Sequence, residues 1–160
     1  MWMDATRVAK RASDFQSMVM ASNWQDYFLL VQELPMWEAE LERLEAVAEP
    51  FGHIEGVGDR MKYISEMMDV LYQVEDVKDH LNEVMEEAGR STGIAGTGVM
   101  SADGVDNIEE HAQAAAKRYE ELIAEHPQFK TKIDSVLGVG LAQFRQKYHF
   151  EWDKKHEFFY

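Results

Sequence analysis

A chain of 160 residues, 46% hydrophobic and 29% charged, has the composition of one globular domain that is too apolar to be disordered. Its 30 Asp and Glu against 16 Lys and Arg leave a formal charge of -14, a field that repels phosphate and argues against direct contact with nucleic acid or an anionic membrane surface. The absence of Cys excludes disulfide frameworks and thiolate metal sites.

Met1-Trp2-Met3-Asp4 leads into Arg7, Lys10 and Arg11 with no apolar h-region. The longest strongly apolar run, Tyr27 to Val31, is far short of the roughly 20 residues that span a bilayer. The expected location is the cytoplasm of a cell or host cell. Residues 31–90 hold most of the acidity, with 16 acidic and 5 basic side chains, whereas the first 30 residues are balanced.

Apolar residues recur at helical spacing through most of the chain. Ala5, Val8, Ala12, Phe15 and Val19 step by threes and fours and predict a first amphipathic helix. Ser22 with Gln25 three residues on reads as a capping box that opens a second, carrying Trp24, Tyr27, Phe28, Val31 and Leu34. Pro35 is expected in the first turn of a third helix over about 36–49. That helix sets Trp37, Leu41, Leu44 and Ala48 on one face and Glu38, Glu42, Glu45 and Glu49 on another. Pro50, Gly52, Gly56 and Gly58 break it.

A long helix is expected over about 59–88, with Met61, Ile64, Met68, Leu71, Val74, Val77, Leu81, Met85 and Ala88 in a stripe that Met67, Val70 and Val84 widen. Its period is slightly under 3.6, which suits a central helix wrapped by partners. The Met-rich set, Met61, Met67, Met68 and Met85, is expected to fill core space. Residues 89–104 hold five Gly and no period and predict a loop. Asp106 and Glu109 cap a helix with Val105, Ile108, Ala112, Ala115, Tyr119 and Leu122 in strict three-four spacing, and the two Ala imply close approach. His126-Pro127 ends it. Phe129, Ile133, Val136, Leu137, Leu141, Phe144 and Tyr148 line the last helix, with a kink or tight crossing expected at Gly138 and Gly140.

The predicted fold is all-α, a bundle of five or six helices with one long central helix and a Gly-rich loop. It forms a single domain: a helical run 1–88, the loop 89–104, C-terminal helices over 105–148 and an aromatic tail 149–160. Seven of the 18 aromatics, Phe144, Tyr148, Phe150, Trp152, Phe158, Phe159 and Tyr160, fall in the last 17 residues among Arg145, Lys147, Lys154 and Lys155. That is the composition of an interface hot spot, and these seven are the candidate partner-binding residues. The competing expectation is that the tail completes the chain's own core.

Catalytic motifs are sparse. The glycines at 93, 96 and 98 lack the Lys of a phosphate loop, the six His show no HExxH, and GxSxG is absent. No catalytic, cofactor or metal residues are assigned. Leu41-Glu42-Arg43-Leu44-Glu45 and Glu66-Met67-Met68-Asp69 resemble the EExxE and ExxD motifs of the MazG-type all-helical nucleotide pyrophosphatases, with Leu in place of one Glu. That resemblance, over about 30 residues, implies magnesium held by Glu42, Glu45, Glu66 and Asp69. Helix phase opposes it, because in an antiparallel hairpin the two sets turn to opposite sides.

A second alternative takes the carboxylates of Glu38, Glu42, Glu45, Glu49, Asp69, Asp76, Asp79, Glu83, Glu86 and Glu87 as an imitation of duplex phosphates, inhibiting a basic protein. The favoured expectation is non-catalytic: a protein–protein interaction, assembly or adaptor role, with a viral or phage component among the candidates. The partner is a second copy, giving a homo-oligomer, or a heterologous protein, with no direct nucleic acid, no membrane and no cofactor.

Overall fold

The computed structural model describes residues 4–94 and 108–148, with side chains over 4–86 and 108–144. The fold is all-α, a helical bundle, and among the described residues no strand forms. The helices are α1 (Ala5–Ala21), α2 (Tyr27–Ala48), α3 (Glu55–Ile94), α4 (Ile108–Glu125), α5 (Lys130–Ile133) and α6 (Val139–Tyr148). Glu49–Phe51 and Pro127–Phe129 form 3-10 turns, and Asp134–Gly138 is a π turn between α5 and α6. Packing separates two compact units, which divide in sequence between Asp69 and Val70.

In the first unit, the Asp4 carboxylate accepts from the Arg7 N–H at 2.9 Å and caps α1. Val8, Ala12, Phe15 and Val19 are its buried stripe, as their spacing predicts. The expected Ser22–Gln25 capping box does not form. Ser22 instead closes α1, its hydroxyl donating to the Met18 carbonyl at 2.9 Å, and Asp26 caps α2 by accepting from the Leu29 N–H at 3.1 Å. Between them the Asn23 side chain accepts from the Gln25 N–H, and Trp24 folds inward, its Nε1 donating to the Val19 carbonyl at 2.9 Å. Burying that indole sets where the chain turns.

The expected break before Pro35 is also absent, since α2 runs through it. Proline inside a helix removes one backbone hydrogen bond and costs about 3 kcal/mol. Leu30, Leu34, Trp37, Leu41, Leu44 and Ala48 nevertheless step by 4, 3, 4, 3 and 4 in one buried or half-buried stripe across it, so packing on both sides holds the helix continuous. Arg11 pairs with Glu40, joining α1 to α2, and Arg60 donates to Gln16 at 2.6 Å, joining α3 to α1. Val8, Ala48 and Val57 form a small core with Ala5, Ala9, Val47, Phe51 and Met61 packed around it.

α3 begins four residues before the expected start, taking Gly56 and Gly58 into its first turns, and its backbone continues through Gly89 to Ile94, which were expected in the loop. Ile64, Met67, Met68, Val70, Leu71, Val74, Leu81 and Val84 are buried. The residues that widen this stripe, Met67, Val70 and Val84, are therefore buried within the chain itself. Met67 and Met68 are core, as expected, and Met61 and Met85 are half-buried.

In the second unit, α4 buries Ile108, Ala112, Ala115, Ala116, Tyr119 and Leu122 and packs against α5 and α6. Phe129, Ile133, Val136, Leu137, Leu141 and Phe144 are buried opposite it in the chain order predicted. The interruption expected at Gly138 takes the form of the π turn, where the Tyr119 hydroxyl donates to Asp134. Gly140 lies in regular helix. Val105, Asp106, the rest of the Gly-rich segment and the tail 149–160 lie outside the described residues.

Candidate contact face on the second helix

The buried stripe of α2 fixes which side of that helix faces outward. At 100° per residue, Phe28, Val31, Pro35, Glu38, Glu42, Glu45 and Glu49 step by 3, 4, 3, 4, 3 and 4, about 60 to 160° from the stripe's centre. All seven are exposed. This outward row is apolar over its first ten residues and acidic thereafter. Tyr27 and Met36 flank the apolar half, and Tyr27 meets Phe28 edge to face with ring centroids 6.0 Å apart. Phe28 is 79% exposed, Met36 65%, Val31 55% and Tyr27 54%, a density of solvent-facing apolar groups found nowhere else among the described residues. The structure thus reverses the expectation for Tyr27, Phe28 and Val31; of the same expected set Trp24 is buried in the turn before α2 and Leu34 is half-buried, and Leu30 lines the core face of the helix.

The acidic half ends at a shallow groove of about 420 Å³ between the close of α2 and the opening of α3. Glu45, Glu49 and Lys62 stand at its rim, and Ala48 and Met61 supply apolar lining.

The structure places the aromatic candidates differently. Phe144 is fully enclosed by the chain and is a core residue, so at this position the self-contained alternative holds and no ring surface is left for a partner. Tyr148 lies on α6, its side chain outside the described set, and Phe150, Trp152, Phe158, Phe159 and Tyr160 lie outside the described residues.

Of the carboxylates implied by the pyrophosphatase resemblance, Glu42 and Glu45 are exposed on the outward row of α2, Glu66 is half-buried and Asp69 exposed on α3. Among the described residues no three His, Asp or Glu side chains gather as a metal-binding set. Asp76, Asp79, Glu83 and Glu86 are exposed along α3; the side chain of Glu87 is outside the described set. Two features carried no sequence signal. His80 and His111 meet across α3 and α4 with ring nitrogens 3.0 Å apart. Glu75 has a buried Oε1 without a hydrogen-bond partner, and burial pushes its carboxyl above the ordinary value.

An all-α bundle with a divided outward row on α2 and, among its described residues, no group of three or more His, Asp or Glu side chains placed to hold a metal is the class the geometry defines. The chain belongs to a family described as a domain of unknown function (DUF6827), whose model matches residues 3–160. No curated protein and no solved structure matches it. No helix of the described residues is long and apolar enough to cross a membrane.

Proposed function

We propose that this protein is a non-catalytic interaction domain that receives a basic amphipathic helix along the outward row of α2. The observation that carries this reading is the order of side chains in that row: Phe28, Val31 and Pro35 followed in the same phase by Glu38, Glu42, Glu45 and Glu49. A partner helix that sets apolar anchors against the first three and Lys or Arg against the four carboxylates matches it throughout, with apolar contact giving affinity and charge giving orientation and encounter rate. A second copy of this chain fits less well. Antiparallel pairing over the full row opposes carboxylates to apolar side chains, and a net charge of -14 works against self-association.

The reading is tested by capture from lysate of the source cells with the parent chain, Phe28→Asp, a Glu42→Lys/Glu45→Lys pair, and Asp14→Lys on α1 as a control. It is supported if one protein with a basic helical segment is retained by the parent and the control, is lost from both face variants, and weakens between about 0.1 M and about 0.5 M salt. Light scattering alongside reports self-association. A homo-oligomer that persists unchanged in both face variants overturns the reading, as does magnesium-dependent release of pyrophosphate from nucleoside triphosphates that Glu66→Ala abolishes.

A further inference from the structure

His80 on α3 and His111 on α4 are 31 residues apart in sequence, yet Nε2 of the first lies 3.0 Å from Nδ1 of the second. Their ring centroids are 4.9 Å apart and the ring planes are inclined at 58°. Two imidazole nitrogens meet at this separation when one carries the proton and the other offers its lone pair, so a lone pair is directed into the gap. A bound transition metal makes the same demand of both rings. With metal–nitrogen bonds of about 2.0 to 2.1 Å, two ligands at a right angle stand about 2.9 Å apart, and two at the tetrahedral angle about 3.4 Å apart. The observed distance lies within about 0.4 Å of both values, so the two rings stand where one ion can bridge them.

The supporting elements are already fixed. Leu81 and Ala112, each next to one of the two His, are buried and hold the backbones of α3 and α4. The His80 ring is exposed and the His111 ring half-buried, so both can turn their lone pairs toward a shared point by side-chain rotation, with water filling the open positions. Asp76, Asp79 and Glu83 on α3 and Glu110 on α4 are exposed within a turn of the pair and concentrate cations around it.

The geometry points to a surface site for a late first-row divalent ion, with His80 Nε2 and His111 Nδ1 as its two protein ligands. Cu2+ is held most tightly, following the general order of affinities. The ion takes the place of the proton between the rings, which passes through solvent to the far nitrogen of its own imidazole, so both ligands remain neutral. By linking α3 to α4 it also stabilises the folded chain.

The test titrates the untagged full chain with Cu2+, Ni2+, Zn2+ and Mg2+ by calorimetry, with electron paramagnetic resonance of the Cu2+ form. It compares His80→Ala, His80→Gln and His111→Ala with His53→Ala, an exposed His in the turn before α3. The expected result is a Cu2+ site whose spectrum carries two imidazole nitrogens and whose affinity falls at least about tenfold in all three pair variants and not in His53→Ala. Added Cu2+ should raise the melting temperature of the parent and of His53→Ala, and not that of the three pair variants. Unchanged Cu2+ affinity in His80→Gln, a conservative change at an exposed position, overturns the assignment, and so does a parent that binds Cu2+ no better than Mg2+.

Discussion

The Tyr119 hydroxyl donates to the Asp134 carboxylate, joining α4 to the first residue of the π turn. Gly138 closes that turn against the same pair. A Cβ there would stand 2.9 Å from Asp134 Oδ1 and 3.4 Å from the Tyr119 hydroxyl. Gly140, two residues on, has open space around its own Cβ position. Alanine for glycine within a helix gains about 1 kcal/mol, and a neutral-to-charged hydrogen bond of this kind contributes about 1.5 to 3 kcal/mol. Gly140→Ala is therefore expected to raise the unfolding free energy by about 1 kcal/mol, whereas Gly138→Ala displaces the carboxylate and gains nothing net. Urea denaturation of the two variants decides it, and equal gains would mean that the Tyr119–Asp134 bond contributes nothing.

A second glycine pair separates a close approach from a bystander at the start of α3. A Cβ on Gly58 would overlap the carbonyl oxygen of Gly52, a backbone atom that no rotamer change can move aside. Gly56 meets nothing within 4 Å. Gly58→Ala should cost about 2 kcal/mol, the range of overpacking in a fixed site, while Gly56→Ala is neutral or stabilising. Thermal melts of both variants check this; a Gly58→Ala protein as stable as the parent would show that the α2–α3 turn rearranges freely.

α1 and α4 were legible because each carries one apolar row in strict three-four spacing, so the phase of the buried face was unambiguous. α2 was not. It carries two rows of that spacing, Leu30 to Ala48 and Phe28 to Glu49, and Tyr27, Phe28 and Val31 looked as suitable for burial as Leu30. The docking of α1, through the Arg11–Glu40 pair and the small core of Val8, Ala48 and Val57, selects between them, and those contacts are not local. Pro35 misled for a related reason: a proline at a helix start and one tolerated inside a helix look alike unless the stripe is followed across it. The His80–His111 pair, on separate helices, has no local pattern at all.

The choice between the two rows of α2 has a direct stability consequence. Leu30 is buried and Phe28, two residues earlier, is 79% exposed. Leu30→Ala is expected to cost about 2 to 5 kcal/mol through lost burial and the cavity left behind. Phe28→Ala should stay within about 0.5 kcal/mol of the parent despite removing the larger side chain. Chemical denaturation measures both, and a reversed order would mean that α2 is rotated and that its outward row faces the core.

The burial of Glu75 sets the sign of a pH dependence in stability. Its Oε1 is buried with no hydrogen-bond partner, and the Lys78 ammonium stands 3.9 Å off. Burial pushes the carboxyl above its ordinary 4.5, Lys78 pulls it down, and Asp79 and Asp76 push it up again. A carboxyl that holds its proton more tightly folded than unfolded favours folding fully below the unfolded value and loses that contribution as pH rises through the folded one. Ionised Glu75 is thus a liability near neutrality. Glu75→Gln, uncharged at every pH, should be more stable than the parent by roughly 1 kcal/mol at about pH 7, with the difference shrinking toward zero at about pH 4. Urea denaturation of both proteins at the two pH values measures it. A gain of the same size at both would assign the effect to packing of the amide rather than to ionisation.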